Sequence, residues 1–72
     1  FTIPASEHVS VNVYNLEGRL VKTLIDQEMR SGQHVVRWDG TNQVGTKVAT
    51  GMYIYQLKTN STVLHRRMTF VK

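Results

Sequence analysis

The chain has 72 residues, enough for one domain with a thin core, because a chain of this size buries only about 60% of the surface its unfolded form exposes. It contains no cysteine, which excludes a disulfide framework, a thiolate metal site and a cysteine nucleophile together. Nine Lys and Arg against five Asp and Glu give a formal charge of +4, but the bases are dispersed and only Arg66-Arg67 is a pair, without the interleaved aromatics that a nucleic-acid platform needs.

The pattern along the chain has period two. Phe1-Thr2-Ile3 precedes the single proline, Pro4, and reads as a short edge strand leading into the domain. Val9, Val11 and Val13 alternate with Ser10, Asn12 and Tyr14, as a strand with one buried face requires. Asn15-Leu16-Glu17-Gly18 is a turn, with Gly18 free to take positive φ. The next segment, Arg19 to Ile25, is apolar at Leu20, Val21, Leu24 and Ile25. That spacing also suits a helical turn, but the short run closed at Gly32 favours a strand with an irregular tail.

Gln33 to Trp38 alternates again, with His34, Val36 and Trp38 on one face. Asp39 to Lys47 is a dense cluster of turn formers that includes Gly40 and Gly45. From Met52 to Thr59, after Gly51, Tyr53, Tyr55 and Leu57 face one way; Asn60-Ser61 turns, and Thr62 to Val71 returns as the last strand. Short strands between regularly spaced turn signals predict an all-β fold: a small immunoglobulin-like (fibronectin III-like) antiparallel sandwich of about seven strands. Val11, Val36, Trp38, Tyr53, Tyr55 and Leu57 are expected in its core. Residues 1–72 form a single domain in this reading. The start at Phe1, with neither a signal-like run nor a membrane-length apolar stretch, suggests a fragment of a larger protein.

Phe-x-Ile-Pro (Phe1 to Pro4), Val-x-Val-Tyr-Asn-Leu-x-Gly-Arg-x-Val (Val11 to Val21) and Gly-x-His-x-Val-x-Trp-Asp-Gly-Thr-Asn (Gly32 to Asn42) are distinctive. So are Gly-x-x-Val-Ala-Thr-Gly-Met-Tyr-Ile-Tyr-x-Leu (Gly45 to Leu57) and Arg-Arg-Met-x-Phe-Val-Lys (Arg66 to Lys72). Together these segments resemble the C-terminal sorting domains of the Bacteroidetes type IX (Por) secretion system. They are equally similar to the immunoglobulin-like domain of the flagellar hook-capping protein. The tail leans to sorting, whereas the full Trp38-to-Gly51 loop leans to hook capping.

The resemblance implies a non-catalytic C-terminal domain that directs an upstream cargo through the type IX system, secreted or held at the cell surface after passing through the periplasm. Its partners would be secretion-machinery proteins and the cargo domain, with the sorting information in Arg66, Arg67, Met68, Phe70 and Lys72. The alternatives are a structural module of a hook-capping-type scaffold and an accessory carbohydrate-binding domain of a secreted hydrolase. No cofactor, nucleic acid or membrane insertion is expected, and the domain is expected to be a monomer.

The remaining conspicuous residues have structural readings. Trp38 is expected as the anchor between the two sheets, and Asp39 as an Asx-turn residue rather than a calcium ligand, since alternating carboxylates are lacking. Tyr53 and Tyr55 are expected in the core, with a hydroxyl bonding backbone as in the corner of Greek-key sandwiches. Gly18, Gly32, Gly40, Gly45 and Gly51 serve the turns. His8, His34 and His65 are too scattered for zinc, and Glu7, Glu17 and Glu28 lie on presumed loops without a nucleophile or a carboxylate pair, so no enzyme is expected.

Overall fold

The computed structural model describes all residues from Phe1 to Lys72. Six strands follow one another without a helix: β1 (Thr2–Ile3), β2 (Glu7–Asn15), β3 (Leu20–Met29), β4 (Gly32–Gln33), β5 (Gly51–Lys58) and β6 (Val63–Phe70). Every pairing is antiparallel. One sheet has the order β3-β2-β5-β6, and the second consists of β1 and β4 alone. The expected all-β, immunoglobulin-like architecture is present with six strands rather than about seven.

The missing strand is the one read from Gln33 to Trp38. Its alternation is real, since His34, Val36 and Trp38 are half-buried while Val35 and Arg37 are exposed. A ladder, however, also needs a neighbour. Phe1 and His34 exchange two backbone bonds of 2.7 and 2.8 Å, and beyond His34 no strand lies alongside. The segment therefore covers the large sheet as extended chain without belonging to a sheet.

β3 also departs from expectation, running ten residues where a short strand with an irregular tail is read from the sequence. Its register against β2 shifts twice, between Val11 and Asn12 and between Val13 and Tyr14. Each bulge adds a residue on β3 and turns the following side chains to the other face. The helix-like spacing of Leu20, Val21, Leu24 and Ile25 is the trace of those two bulges, which let adjacent Leu24 and Ile25 both pack against the core.

That core is small. Val9, Val11 and Val13 are the most deeply buried side chains, joined by Ile3, Leu57 and Tyr53. Of the residues expected inside, Val11, Tyr53 and Leu57 are buried, but Val36, Trp38 and Tyr55 are only half-buried. The cause is the thinness of the second layer, which cannot roof the whole face of a four-stranded sheet. Glu7 begins β2 instead of lying on a loop; it is 8% exposed, and its Oε1 accepts the Asn60 N–H at 2.9 Å. The carboxylate thus ties the start of β2 to the β5–β6 turn.

The loop after Trp38 is held by its own polar groups. Asp39 Oδ1 accepts from the Thr41 N–H at 3.1 Å and from the Thr41 hydroxyl at 2.6 Å, the Asx turn expected there. Asn42 Oδ1 accepts the N–H groups of Val44 and Thr46. The loop docks on β3 where the Gln43 N–H donates to Val21 O and Gln43 Oε1 accepts from Thr23 N–H. Gly40 has φ +78° and lies against the Phe70 ring, with which a Cβ would overlap. Gly45 has φ +86° but faces open space.

Two outcomes follow for stability. Gly40→Ala combines left-handed backbone with overpacking and should cost about 2–5 kcal/mol, whereas Gly45→Ala should cost about 1–2 kcal/mol from the backbone alone. Denaturant melts of the two variants separate these values, and equal losses would contradict the packing of Phe70 on Gly40. The second outcome concerns acid. The hydroxyl and N–H of Thr41, with Lys22 nearby, hold the Asp39 carboxyl below its ordinary value. A lowered folded pKa contributes stability above the unfolded value of about 3.9, and that contribution is lost as pH falls through the folded value. Asp39→Asn keeps the acceptor but cannot titrate, so its stability should fall less steeply below about pH 4 than that of the native chain.

Candidate functional site

Between the large sheet and the extended segment after β4 lies an open apolar groove of about 330 Å³. Leu24, Val36, Trp38, Tyr55, Leu57 and Met68 are among its walls. The register explains why these side chains converge. Val11 opposes Leu57 and Val13 opposes Tyr55, while Tyr53 opposes Met68, so all project from one face of the sheet. The groove is the part of that face which the thin second layer leaves uncovered. His34 and Tyr55 are its only titratable side chains. It carries no carboxylate or nucleophile, and its chemistry is that of apolar packing.

Trp38 stands at one end of this groove. Its ring meets Tyr53 edge-on at 5.0 Å between centroids and Phe70 at 5.2 Å, and its indole N–H donates to Thr41 O at 2.9 Å. The Tyr53 hydroxyl donates to Ala49 O at 2.6 Å, a corner bond of the kind expected from the sequence. The ring of Trp38 is therefore committed to the junction of the layers and is not presented as a flat platform for a sugar.

The tail residues are divided by the pleat of β6. Arg66 opposes Tyr55 and projects on the groove face, whereas Arg67 opposes Ile54 and projects on the outer face. The adjacent arginines consequently form no single cationic patch. Arg66 Nη1 donates to His65 O at 3.1 Å. Met68 lines the groove and Phe70 is half-buried against Trp38 and Gly40. Lys72 lies past β6, its N–H on Thr50 Oγ1. Of the five tail residues singled out, Arg66, Arg67 and Lys72 are exposed.

The histidines stay apart. His8 bonds Asp26 at 2.6 Å, His34 bonds Arg30 O, and no three His, Asp or Glu side chains come together in a metal-binding arrangement. The groove itself was not legible in the sequence. Its signal was the alternation of Val36 and Trp38 on a segment too poorly partnered to close over the sheet.

Comparison with known proteins places the chain in a family. Residues 2–62 match the family described as the FlgD Ig-like domain, and the match ends one residue before β6. The basal-body rod modification proteins FlgD of Salmonella typhimurium (strain LT2) and Salmonella typhi are each 38% identical to the chain over 48 residues. That alignment takes in 67% of the chain and 21% of each relative, so the chain spans about a fifth of their length. No solved structure matches. The family match falls on the hook-capping side of the two resemblances and lends no support to the sorting side. With most of its length matched, this chain belongs to the FlgD Ig-like domain family.

Proposed function

We propose that the chain is a non-catalytic structural module of an exported, hook-capping-type flagellar scaffold protein, which packs through its apolar groove against a neighbouring part of that assembly. The observation that carries the reading is the match of residues 2–62 to the FlgD Ig-like domain. The groove is consistent with it, being an apolar surface without a carboxylate or a nucleophile. The sorting reading rests on Arg66 to Lys72, which the family match does not reach. The carbohydrate reading requires a free aromatic face, and Trp38 is packed against two other rings.

Transplanting the domain into the Salmonella relative, in place of the corresponding stretch and in a strain lacking its own FlgD, tests the proposal. Restored flagellar assembly is expected. Val35 lines the groove while remaining 78% exposed, so Val35→Glu should shift stability by no more than about 0.5 kcal/mol yet abolish the restored assembly. A folded transplant that never assembles, together with export of a reporter carrying this domain by a host with a type IX system, would replace the structural reading with the sorting one.

A further inference from the structure

Charge is distributed unevenly over this sheet. All five acidic residues, Glu7, Glu17, Asp26, Glu28 and Asp39, lie in the first 39 positions, whereas positions 40–72 carry Lys47, Lys58, Arg66, Arg67 and Lys72 without an acid. Because the strand order is β3-β2-β5-β6, one edge of the sheet is acidic on its outer face and the other is basic. Asp26 and Glu28 share the outer face of β3, opposite Ser10 and His8; His8 Nε2 lies 2.6 Å from Asp26 Oδ1, while Asp26 Oδ2 and the Glu28 carboxylate make no hydrogen bond within the chain. His65 and Arg67 share the outer face of β6, opposite Gln56 and Ile54. Both pairs have a spacing of two.

The outward-turned backbone groups fall on the same residues. In an antiparallel sheet successive residues turn their N–H and C=O alternately to the two sides. The Asn15 N–H donates to Arg19 O, so Asn15, Val13, Val11 and Val9 turn toward β3. Their partners Ile25 and Gln27 turn back toward β2, which leaves Asp26 and Glu28 turned outward. Thr23, beyond the bulge, is also turned outward, and its N–H indeed leaves the sheet for Gln43. On the other side the Thr59 N–H donates to Thr62 O, so Leu57, Tyr55 and Tyr53 turn toward β6. Leu64, Arg66 and Met68 then turn toward β5, and His65 and Arg67 turn outward. The bond from Arg66 Nη1 to His65 O agrees with an outward carbonyl. No backbone bond outside the strands involves β6 or the Leu24–Met29 stretch of β3.

We propose that β6 of one copy adds antiparallel to β3 of a second copy, with Arg67 opposite Asp26 and His65 opposite Glu28. This register makes both of these pairs hydrogen-bonded pairs and keeps their side chains on the shared outer face. It also sets Met68 opposite Ile25 and Leu64 opposite Met29 on the groove face, with Arg66 opposite Gln27 between them. A shift of two residues in one direction sets His65 against Arg30, and in the other it sets Arg67 against Leu24, so a single register satisfies both faces. It ends where Gln43 already occupies Thr23. The contact is heterologous, since each copy offers one acidic and one basic edge, and it propagates from copy to copy. It does not depend on which larger protein carries the domain.

Sedimentation velocity on the 72-residue chain over a range of concentrations, at low salt, tests this. The native chain should associate reversibly, and Arg67→Glu or Asp26→Arg alone should weaken association by about tenfold by setting like charges opposite each other. Mixing the two variants should restore it, because each edge then meets a complementary one. The chain has no cysteine of its own, so a Gln27→Cys, Arg66→Cys variant gives an independent reading: oxidation should produce a ladder of cross-linked copies. A Gln27→Cys, Arg67→Cys control, on opposite faces, should not. A native chain that stays monomeric, as expected from the sequence, overturns the proposal. So does a mixture that fails to restore association, or cross-linking that is absent or equal in the control.

Discussion

The structure depends on keeping three valines dry. Val9, Val11 and Val13 stand in a row on one face of β2, and burial of each is worth roughly 1.5–3 kcal/mol. A domain this small has few other sources of stability. The four-stranded sheet supplies the row, but only a cover can exclude water from it, and that cover is assembled from fragments. Ile3 comes from a two-residue strand and Val36 from extended chain, and the end of the same segment brings Trp38 onto Tyr53 and Phe70. Polar bonds hold these fragments where no ladder does. The N-terminal residue is bonded to His34, the indole of Trp38 to Thr41, and the loop beyond it to the edge of β3.

Much of this was legible in the sequence, for reasons that vary from element to element. β2 alternates strictly because one of its faces is covered and the pleat leaves no other choice, and in β5 the buried Tyr53 and Leu57 mark the same face. β3 was harder to read because its two bulges break the period that identifies a strand. The segment from Gln33 to Trp38 shows the converse: burial alternates as expected, yet the hydrogen-bonded neighbour that defines a strand is not encoded within the segment at all. Glu7 reads as a loop residue in the sequence, because a carboxylate is seldom buried without a partner. Its partner, the Asn60 amide, lies so far along the chain that only the folded arrangement reveals it.

The site was less legible than the fold. Adjacency in the sequence groups Arg66 with Arg67, while a strand sorts its residues by parity. Parity sends the two arginines to opposite faces and turns Phe70 inward onto Gly40. The groove arises from an incomplete cover, a property of no single segment. The family resemblance carries the immunoglobulin-like fold, and residues 2–62, without the tail, carry the match to the FlgD Ig-like domain.

The pairing of β2 with β5 has a consequence for how the chain reaches this state. The β2–β3 and β5–β6 hairpins join neighbours in sequence and can form locally. The joint between them, Asn15 to Tyr53 at one end and Ser10 to Lys58 at the other, closes a long loop that contains Val36 and Trp38, while Ile3 reaches the cover from the other side of β2. Loop closure costs chain entropy before any contact rewards it, and topologies dominated by such distant pairings fold slowly. The two hairpins are therefore expected to exist as separate, fluctuating units until β2 meets β5. Until then the valines stay wet, and both inner strands remain edges open to other chains.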